Sequence, residues 1–550
     1  MLLGALLAPA LARSQSPGGL GSDARVLPWG AVSILTGMEW ARVSERYARN
    51  PPGRKNGALE PLGQDFNLDT LGSAQLEYLS PLEAAVRSLA AMPAFNASLG
   101  RMVVHVRDRV LTTPFAFDVG LTGRLTVGVV LPLVTATSEV DFRMNPTGRE
   151  PTVAFNPTLA ATAAVAANAS LLAQFDSAAA QLGRQLASCP ANPSQPGCAA
   201  VNANPAGARG LLQNAGAFAD GLAQVYGGRN GAKGALFVPI FGTAAQSAIE
   251  ARVSGYKALY ATFGAGAITS NGPVAAQAPL TADDAQRVFT DPMFGVRAQP
   301  LATTVARGLG DMEISAKLKL VDTFGGDLRN SFAPAGFNWR QSVGAGYRLA
   351  TGVLNAPDNF TDIGTGRHSR ATEARSFTDL LFGPHFWLSV VAQYNMPMAD
   401  ERVVRITDSP DQPLPAAYRQ QTVKRKLGNE LDIAVNPRWT LNEYMSLSGH
   451  YYYRSKSADA YTGTFRVANL AGEQVMIDAS TLDIATEARE HRLGLGVSFS
   501  TVAAFERGTA AFPIEIAYSH FQTTLGSLGD VPKFAVDLMQ VRVYGRLFGR

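Results

Sequence analysis

Apolar and polar residues alternate along residues 115–133, FAFDVGLTGRLTVGVVLPL, with a turn in the middle. After the turn, the apolar side chains share one face of an extended chain: Leu125, Val127, Val129, Leu131 and Leu133. The turn contains Gly120, Thr122 and Gly123, residue types that favour tight turns. This stretch therefore predicts two antiparallel strands joined as a hairpin.

The same two-residue period returns along the chain almost to its last residue. We predict twelve strands, near residues 29–43, 102–119, 125–137, 310–320, 339–349, 378–394, 403–407, 427–435, 444–454, 491–501, 512–521 and 534–547. One face of these strands is apolar and the other carries charge, which is typical of a barrel with lipid outside and water inside. The pattern predicts an all-β fold, a transmembrane antiparallel β-barrel of about 12 strands in a bacterial outer membrane.

The strand at residues 102–119 contains a change of phase. Its apolar residues have even numbers at Met102 and Val104, but odd numbers at Phe115 and Phe117. A shift of one residue predicts a β-bulge, and a proline at the change suits this place because it lacks an N–H donor.

Residues 138–308 interrupt the β pattern. Only 12 of residues 151–290 are Asp, Glu, Lys or Arg, and the apolar period there becomes helical. Three apolar stripes have this spacing: Leu172, Phe175, Ala179, Leu182 and Leu186, then Leu211, Ala215, Phe218, Leu222 and Val225, then Ile249, Val253, Tyr256, Tyr260 and Phe263. We predict an inserted helical subdomain, with helices starting near Thr243 and Thr281. Because both ends of such a barrel lie in the periplasm, strand parity places this insertion on the cell exterior.

The remaining segments complete the domain layout. Residues 1–14 have the pattern of a secretory signal peptide, an apolar stretch followed by a small-x-small cleavage site. Residues 26–137 hold the first barrel strands, and residues 309–550 hold the remaining ones. A short helix near residues 81–91, with Ser80 as its N-cap, is either a plug in the barrel mouth or a helix in a loop.

The chain contains two cysteines, Cys189 and Cys198, separated by the turn-rich segment PANPSQPG. In an exported protein this arrangement predicts a disulfide that staples the segment. Two free thiols are the alternative. The spacing is not that of a metal site.

Composition removes several classes of function. The formal net charge of +4 gives no reason to expect nucleic acid as a partner. No apolar run is long enough for a membrane-spanning helix. None of the six histidines has a metal-ligand spacing, and the oxygen-rich loop 358–366 lacks the EF-hand pattern. We therefore expect no metal, no cofactor and no enzymatic activity.

The residues opposite each apolar stripe are expected to line the barrel lumen. Nine are basic: Arg124, Lys317, Lys319, Arg340, Arg348, Arg454, Arg492, Arg542 and Arg546. Five are acidic: Asp118, Glu313, Glu430, Asp432 and Glu515. These charges either pair across strands and hold water, which we favour, or form a mildly cationic passage that admits carboxylate-bearing solutes.

Three stretches resemble a known outer-membrane family: FDVGLTGRLTVGVVLPLV, RGLGDMEISAKLKL, and GYRLATG followed by a GTG loop. They resemble the meta-pathway phenol-degradation transporters, which are related to the long-chain fatty-acid channel. The resemblance covers residues 100–137 and 308–396. It implies passive uptake of small hydrophobic or aromatic compounds across the outer membrane.

We therefore expect a channel that contacts outer-membrane lipid and a small apolar or amphipathic solute. The alternative is a structural or adhesive barrel whose helical insertion binds a partner. An extensive exposed apolar patch on the insertion would favour adhesion, whereas an apolar binding pocket in the lumen would favour transport.

Overall fold

A closed antiparallel barrel of twelve strands is the main feature of the computed structural model, which describes residues 22–49, 57–146, 150–266, 268–323, 336–409 and 412–547. Each strand pairs with its neighbours in chain order, and the last strand pairs with the first. The strands are β1 (Ala31–Val43), β2 (Met102–Gly120), β3 (Leu125–Met144), β4 (Thr304–Leu309 and Glu313–Asp322), β5 (Phe337–Arg348), β6 (Ala371–Phe382), β7 (Phe386–Pro397), β8 (Glu430–Thr440), β9 (Met445–Lys456), β10 (Ala488–Ser500), β11 (Ile514–Leu528) and β12 (Ala535–Arg546). The predicted fold and strand number are confirmed. The predicted signal peptide lies outside the described residues.

Two errors cancel in the strand count. The single strand predicted at residues 378–394 is the β6–β7 hairpin, with its turn at Gly383, where φ is +62°. The strand predicted at residues 403–407 lies outside the barrel, since Asp400–Arg405 belongs to a separate three-stranded sheet. One barrel strand was missed at the hairpin and one was added outside the barrel, so the predicted number equals the observed number of twelve.

The connections distinguish the two ends of the barrel. At the turn end, the segments 121–124, 383–385 and 441–444 join strands directly. At the loop end, the connections are longer and contain short strands: Glu45–Tyr47, Leu59–Pro61, Asp400–Arg405, Gln420–Lys426, Ala460–Thr462, Thr464–Ala468, Gln474–Asp478 and Val531–Pro532. Such an asymmetry is usual in outer-membrane barrels.

The predicted bulge in β2 is wrong. Burial alternates without a change of phase from Met102 to Phe117, and the register of β2 against β1 is constant from Thr36↔Phe115 to Val43↔Asp108. The even-numbered residues, including Val104 and Val106, face inward along the whole strand. The apolar phase changes because the inward face itself becomes apolar toward the loop end.

A second compact unit comprises residues 66–103 and 143–295. Its helices are α1 (Leu79–Ala90), α2 (Thr162–Ser188), α3 (Cys198–Ala203), α4 (Pro205–Tyr226), α5 (Ala244–Thr262) and α6 (Ala282–Thr290), with short strands Val153–Phe155 and Phe237–Pro239. The apolar stripes of α2 and α4 pack together, and the rings of Phe175 and Phe218 lie 6.0 Å apart. Thr243 and Thr281 cap α5 and α6 as predicted.

A disulfide and the start of the first helix are two local features of this unit. Cys189 and Cys198 form a disulfide between the end of α2 and the start of α3, with Cα atoms 5.1 Å apart, as predicted. The predicted N-cap Ser80 is wrong, because α1 begins at Leu79 and its N-cap is Tyr78. Glu83 instead accepts hydrogen bonds from Ala97 N and Ser73 Oγ, at 3.0 and 3.1 Å, and thereby holds the loop on either side of α1.

The outer face of the barrel is apolar between two rows of aromatic residues. Leu495 in β10, for example, is 75% exposed. Exposed tryptophan and phenylalanine side chains lie near the turn end: Trp29, Phe337, Trp339, Phe382 and Trp439. Others lie toward the loop end: Trp40, Tyr394 and Tyr451. Aromatic rows at both margins of an apolar belt are typical of membrane interfaces. Among the described residues, no helix is long and apolar enough to cross a membrane.

Candidate functional site: the barrel lumen

Charged side chains cover the inner face of β4 to β10, which we call the charged wall: Glu313, Arg348, Glu373, Arg375, Glu430, Asp432, Arg454, Glu490 and Arg492. Neighbouring strands connect through ion pairs. Arg375 contacts Glu313 at 2.5 Å and also pairs with Glu373, which in turn pairs with Arg348. Arg454 lies 2.9 Å from Asp432. The wall is therefore an ion-pair network that crosses strands.

A loop residue completes this network. Arg367, from residues 349–370, contacts the buried Glu430 at 3.0 Å. The network then holds five arginines and five carboxylates, so its formal charge is balanced. This geometry supports the interpretation that lumen charges pair across strands, with no excess of positive charge in this wall.

The predicted lumen residues fall into three groups. Those in the charged wall are Glu313, Arg348, Glu430, Asp432, Arg454 and Arg492. Nearer the turn end, the inner face carries Asp118, Lys317, Lys319, Arg340, Glu515 and Arg542. Arg546, at the end of β12, is exposed to solvent but borders a cavity near the turn end. Arg124 lies instead in the exposed turn 121–124. It was misplaced because the alternation was extended past the end of the strand.

Sequence reasoning missed Glu373, Arg375, Glu490 and Arg367. The first two lie in the part of β6 that precedes the predicted strand at 378, and Glu490 precedes the predicted strand at 491. Extending the alternation backward across residues 371–377 would have found Glu373 and Arg375. Arg367 lies in a loop and has no periodic signal.

The segment 22–28 lies inside the barrel near the turn end. Ala24 is fully buried, its N–H donates to Asp379 Oδ2 at 3.0 Å, and its carbonyl accepts from Ser342 Oγ at 2.6 Å. Leu27 N donates to Thr126 Oγ1 at 2.8 Å. Cavities of 220 and 550 Å³ are both bordered by this segment. This position inside the barrel could not be predicted, because the segment has no hydrophobic period.

The inner face of β12, β1, β2 and β3 differs from the charged wall. Its buried side chains form an apolar stripe: Leu35, Ala41, Val110, Ala116, Val130, Val134, Ala136, Val536 and Leu538. Leu35, Ala116 and Val130 contact one another directly across three strands. This side also carries two buried acids, Glu39 in β1 and Asp108 in β2. The lumen therefore has one side of paired charges and one side that is mainly apolar.

A break in β4 separates its two halves at residues 310–312. The first half pairs with β3 in the register Leu133↔Leu309 and the second in the register Val130↔Glu313, which differ by one residue. Loop residues satisfy the interrupted backbone. Thr351 Oγ1 donates to Gly310 O at 2.6 Å and accepts from Met312 N at 2.9 Å.

Two glycines allow the loop to reach this break. A Cβ on Gly352 would lie 2.5 Å from the Cα of Gly366, so neither position has room for a side chain. Asp311 accepts hydrogen bonds from the N–H groups of Gly352 and Arg367, both at 2.8 Å. Gly310 N also donates to Pro132 O at 2.8 Å. The three stretches that resemble the transporter family thus meet at one place in the barrel wall.

A histidine network borders the smaller cavity. His450 Nε2 lies 3.0 Å from Ser448 Oγ and 3.1 Å from Ser519 Oγ, and its Nδ1 lies 2.8 Å from Asn436 Oδ1. Gly496 lies between the two serines, and any side chain there would collide with them. A serine hydrolase also needs free backbone donors for an oxyanion. These residues lie in continuously paired strands, so the network acts as a polar wall.

Metal-binding residues do not gather in the part of the chain that the structure describes, where no group of three or more His, Cys, Asp or Glu side chains fits a metal ion. Apart from Asp362 Oδ1, the carboxylate oxygens of loop 358–366 accept hydrogen bonds from the protein: Asp358 from Gln299, and Asp362 Oδ2 from Ala356 N. Asn359 Oδ1 accepts hydrogen bonds from the N–H groups of Thr361 and Asp362, both at 3.1 Å. The loop is thus held by its own turns.

A closed barrel with an apolar belt, aromatic margins and a charged interior defines an outer-membrane β-barrel, and the protein is placed in the bacterial outer membrane. Solved structures of outer membrane channels are similar to it. An outer membrane channel from Pseudomonas putida F1 has 9% identity and a TM-score of 0.39, covering 95% of this chain and 98% of that chain.

Two other channels show a weaker likeness. A Pseudomonas aeruginosa FadL homologue has 8% identity and a TM-score of 0.27, covering 99% of this chain and 98% of that chain. The monoaromatic hydrocarbon channel CymD has 8% identity and a TM-score of 0.25, covering 95% and 90%. No family model and no curated protein matches the sequence.

Proposed function

We propose that this protein is a passive channel for small hydrophobic or aromatic compounds, and that it has no enzymatic activity. The apolar stripe inside the barrel carries the proposal. Water-filled barrels have polar interiors, whereas here Leu35, Ala116 and Val130 form a contiguous apolar surface on the inner wall. An apolar solute gains contact with this side while the charged wall retains water.

Uptake by intact cells tests this proposal. Cells of a Gram-negative host that express the protein should accumulate radiolabelled naphthalene faster than cells with an empty vector. Leu35→Gln should reduce the uptake rate severalfold, because it places an amide in the stripe, whereas Leu35→Met should retain it. Folding of each variant is checked by heat-modifiable migration on gels. Equal uptake with and without the protein would refute the proposal.

The adhesive alternative receives little support. On the described part of the second unit, the exposed apolar side chains of large size are Phe241, Leu259 and Met293. They belong to three different elements, and scattered apolar residues of this kind are ordinary on protein surfaces. Adhesion would need a contiguous patch.

A further inference from the structure

Arg438 in β8 is a lumen cation without a carboxylate partner. It faces inward opposite Trp387 of β7, and the centre of its guanidinium lies 4.0 Å from the indole centroid. Within the described residues, it has neither an ion pair nor a hydrogen bond. Stacking covers one face of a guanidinium and leaves its in-plane N–H donors, which match the two oxygens of a carboxylate.

The nearby acids are already engaged. Arg25 contacts Asp23 at 2.6 Å and Glu515 at 3.3 Å, and Glu443 pairs with Arg507. None of these carboxylates forms an ion pair with Arg438. Asp23, Glu515 and Asp379 attract Arg438 electrostatically without a direct ion pair. Three carboxylates and four arginines border the cavity, so its border keeps an excess positive charge.

A second donor without a partner lies beside Arg438. Asn436 precedes it by two residues on the same inward face of β8 and is only 5% exposed. The Asn436 carbonyl oxygen is occupied by His450, but among the described residues its Nδ2 has no hydrogen-bond acceptor. A buried donor without an acceptor is unfavourable by about 1–3 kcal/mol. Both donors thus favour an external acceptor.

The cavity of 220 Å³ brings these donors together with an apolar surface. Asn436, Arg438 and His450 border it, and so do Leu35 and Leu538 of the apolar stripe. Its volume equals that of roughly seven liquid waters at about 30 Å³ each. The cavity is therefore suited to a small molecule with an anionic end and an apolar body.

We propose that Arg438 and Asn436 form a carboxylate subsite for small organic acids with an aromatic or other apolar body. The inference rests on the proposed function, since it names the solute class that the lumen selects. The carboxylate accepts from the edge of Arg438 and from Asn436 Nδ2. The apolar body lies against Leu35 and Leu538.

Calorimetric titration of the full-length protein in detergent tests the subsite. Benzoate is the probe, and benzyl alcohol, of similar shape but without charge, is its control. Wild type should bind benzoate at least tenfold more tightly than benzyl alcohol. Arg438→Gln should abolish this preference while benzyl alcohol binding stays unchanged. Arg124→Gln, the same substitution in an exposed turn, should bind as wild type does.

Further variants keep the test decisive. If Arg438→Gln fails to fold, Asn436→Leu should still weaken benzoate binding severalfold, and Arg438→Lys should give an intermediate loss because it lacks the planar pair of donors. Equal affinity of wild type and the folded Arg438 or Asn436 variants for benzoate would overturn the proposal.

Uptake separates this proposal from the general function. Cells that take up naphthalene through the protein, while wild-type protein shows no benzoate preference, would overturn the subsite alone. If cells that express the protein take up neither naphthalene nor benzoate faster than cells with an empty vector, the proposed channel function is refuted. Benzoate uptake that is lost in Arg438→Gln supports the subsite.

Discussion

Asp362, a single residue in the loop that holds the break in β4, links this loop to pH. Its Oδ2 accepts from Ala356 N at 3.1 Å, but Oδ1 has no hydrogen-bond partner among the described residues. Burial raises the pKa of Asp362 from 3.8 to about 6, with a smaller contribution from neighbouring Asp358. The protonated form therefore favours the folded loop. This contribution is complete below pH 3.8 and is lost as the pH rises through about 6.

Asp362→Asn removes this dependence. The amide keeps an acceptor for Ala356 N and carries no charge, so the loop should be more stable than wild type at pH 8 by about 1 kcal/mol, allowing for partial exposure. At pH 4 the two proteins should be alike. Limited proteolysis of the folded protein measures cleavage within residues 356–366 at both pH values. A rate ratio that does not change with pH would contradict the argument.

At the scale of elements, the alternation revealed strands but concealed one turn. Phe382 pairs with Phe386 across a turn of three residues, so the outward-facing positions remain even-numbered on both sides of it. The hydrophobic period therefore continues through the β6–β7 hairpin with no change of phase. Only Gly383 and the proline after it indicate a turn, and the apolar residues on both sides favoured one continuous strand instead.

The disulfide is an element-scale prediction with a confined effect. The bond between Cys189 and Cys198 closes a short loop, for which the chain-entropy model gives about 2–3 kcal/mol. Replacing both cysteines by serine should lower the stability of the helical unit by up to this amount and leave the barrel intact. The rate of proteolysis within α2 and α4 measures the stability of the helical unit, and heat-modifiable migration on gels shows whether the barrel is folded. Loss of barrel folding would contradict a confined effect.

The candidate site was less predictable than the fold. Inward-facing charges such as Glu313 and Arg454 follow from alternation, because the polar side of a membrane strand must face the lumen. The pairing of Arg367 with Glu430, and the seating of Ala24 inside the barrel, depend on segments without any period. The Arg438–Trp387 stack depends on which strands are neighbours, and a missed hairpin changes every later neighbour.

At the scale of the whole molecule, strand direction gives a prediction of topology. The connection from β3 to β4, residues 145–303, leaves and re-enters the barrel at its loop end. If the short turns face the periplasm, this connection is extracellular. An epitope inserted after Ser194, exposed between Cys189 and Cys198, should be labelled by antibody on intact cells. Labelling only after permeabilisation would reverse the topology, and an epitope in the turn 121–124 is the matched control.

The pairing of β1 with β12 has a consequence for how this protein is made. Ala31 lies opposite Arg546, so residues near opposite ends of the chain form one seam. Such a contact has the highest cost in loop closure and is expected to form late. Until β12 pairs with β1, the sheet has an unpaired edge strand on each side, and such edges can pair with strands of other chains. A chain truncated before β12 cannot close the barrel and keeps these unpaired edges. Such chains should therefore remain bound by periplasmic chaperones or be degraded by proteases, so that only chains containing β12 accumulate as closed barrels.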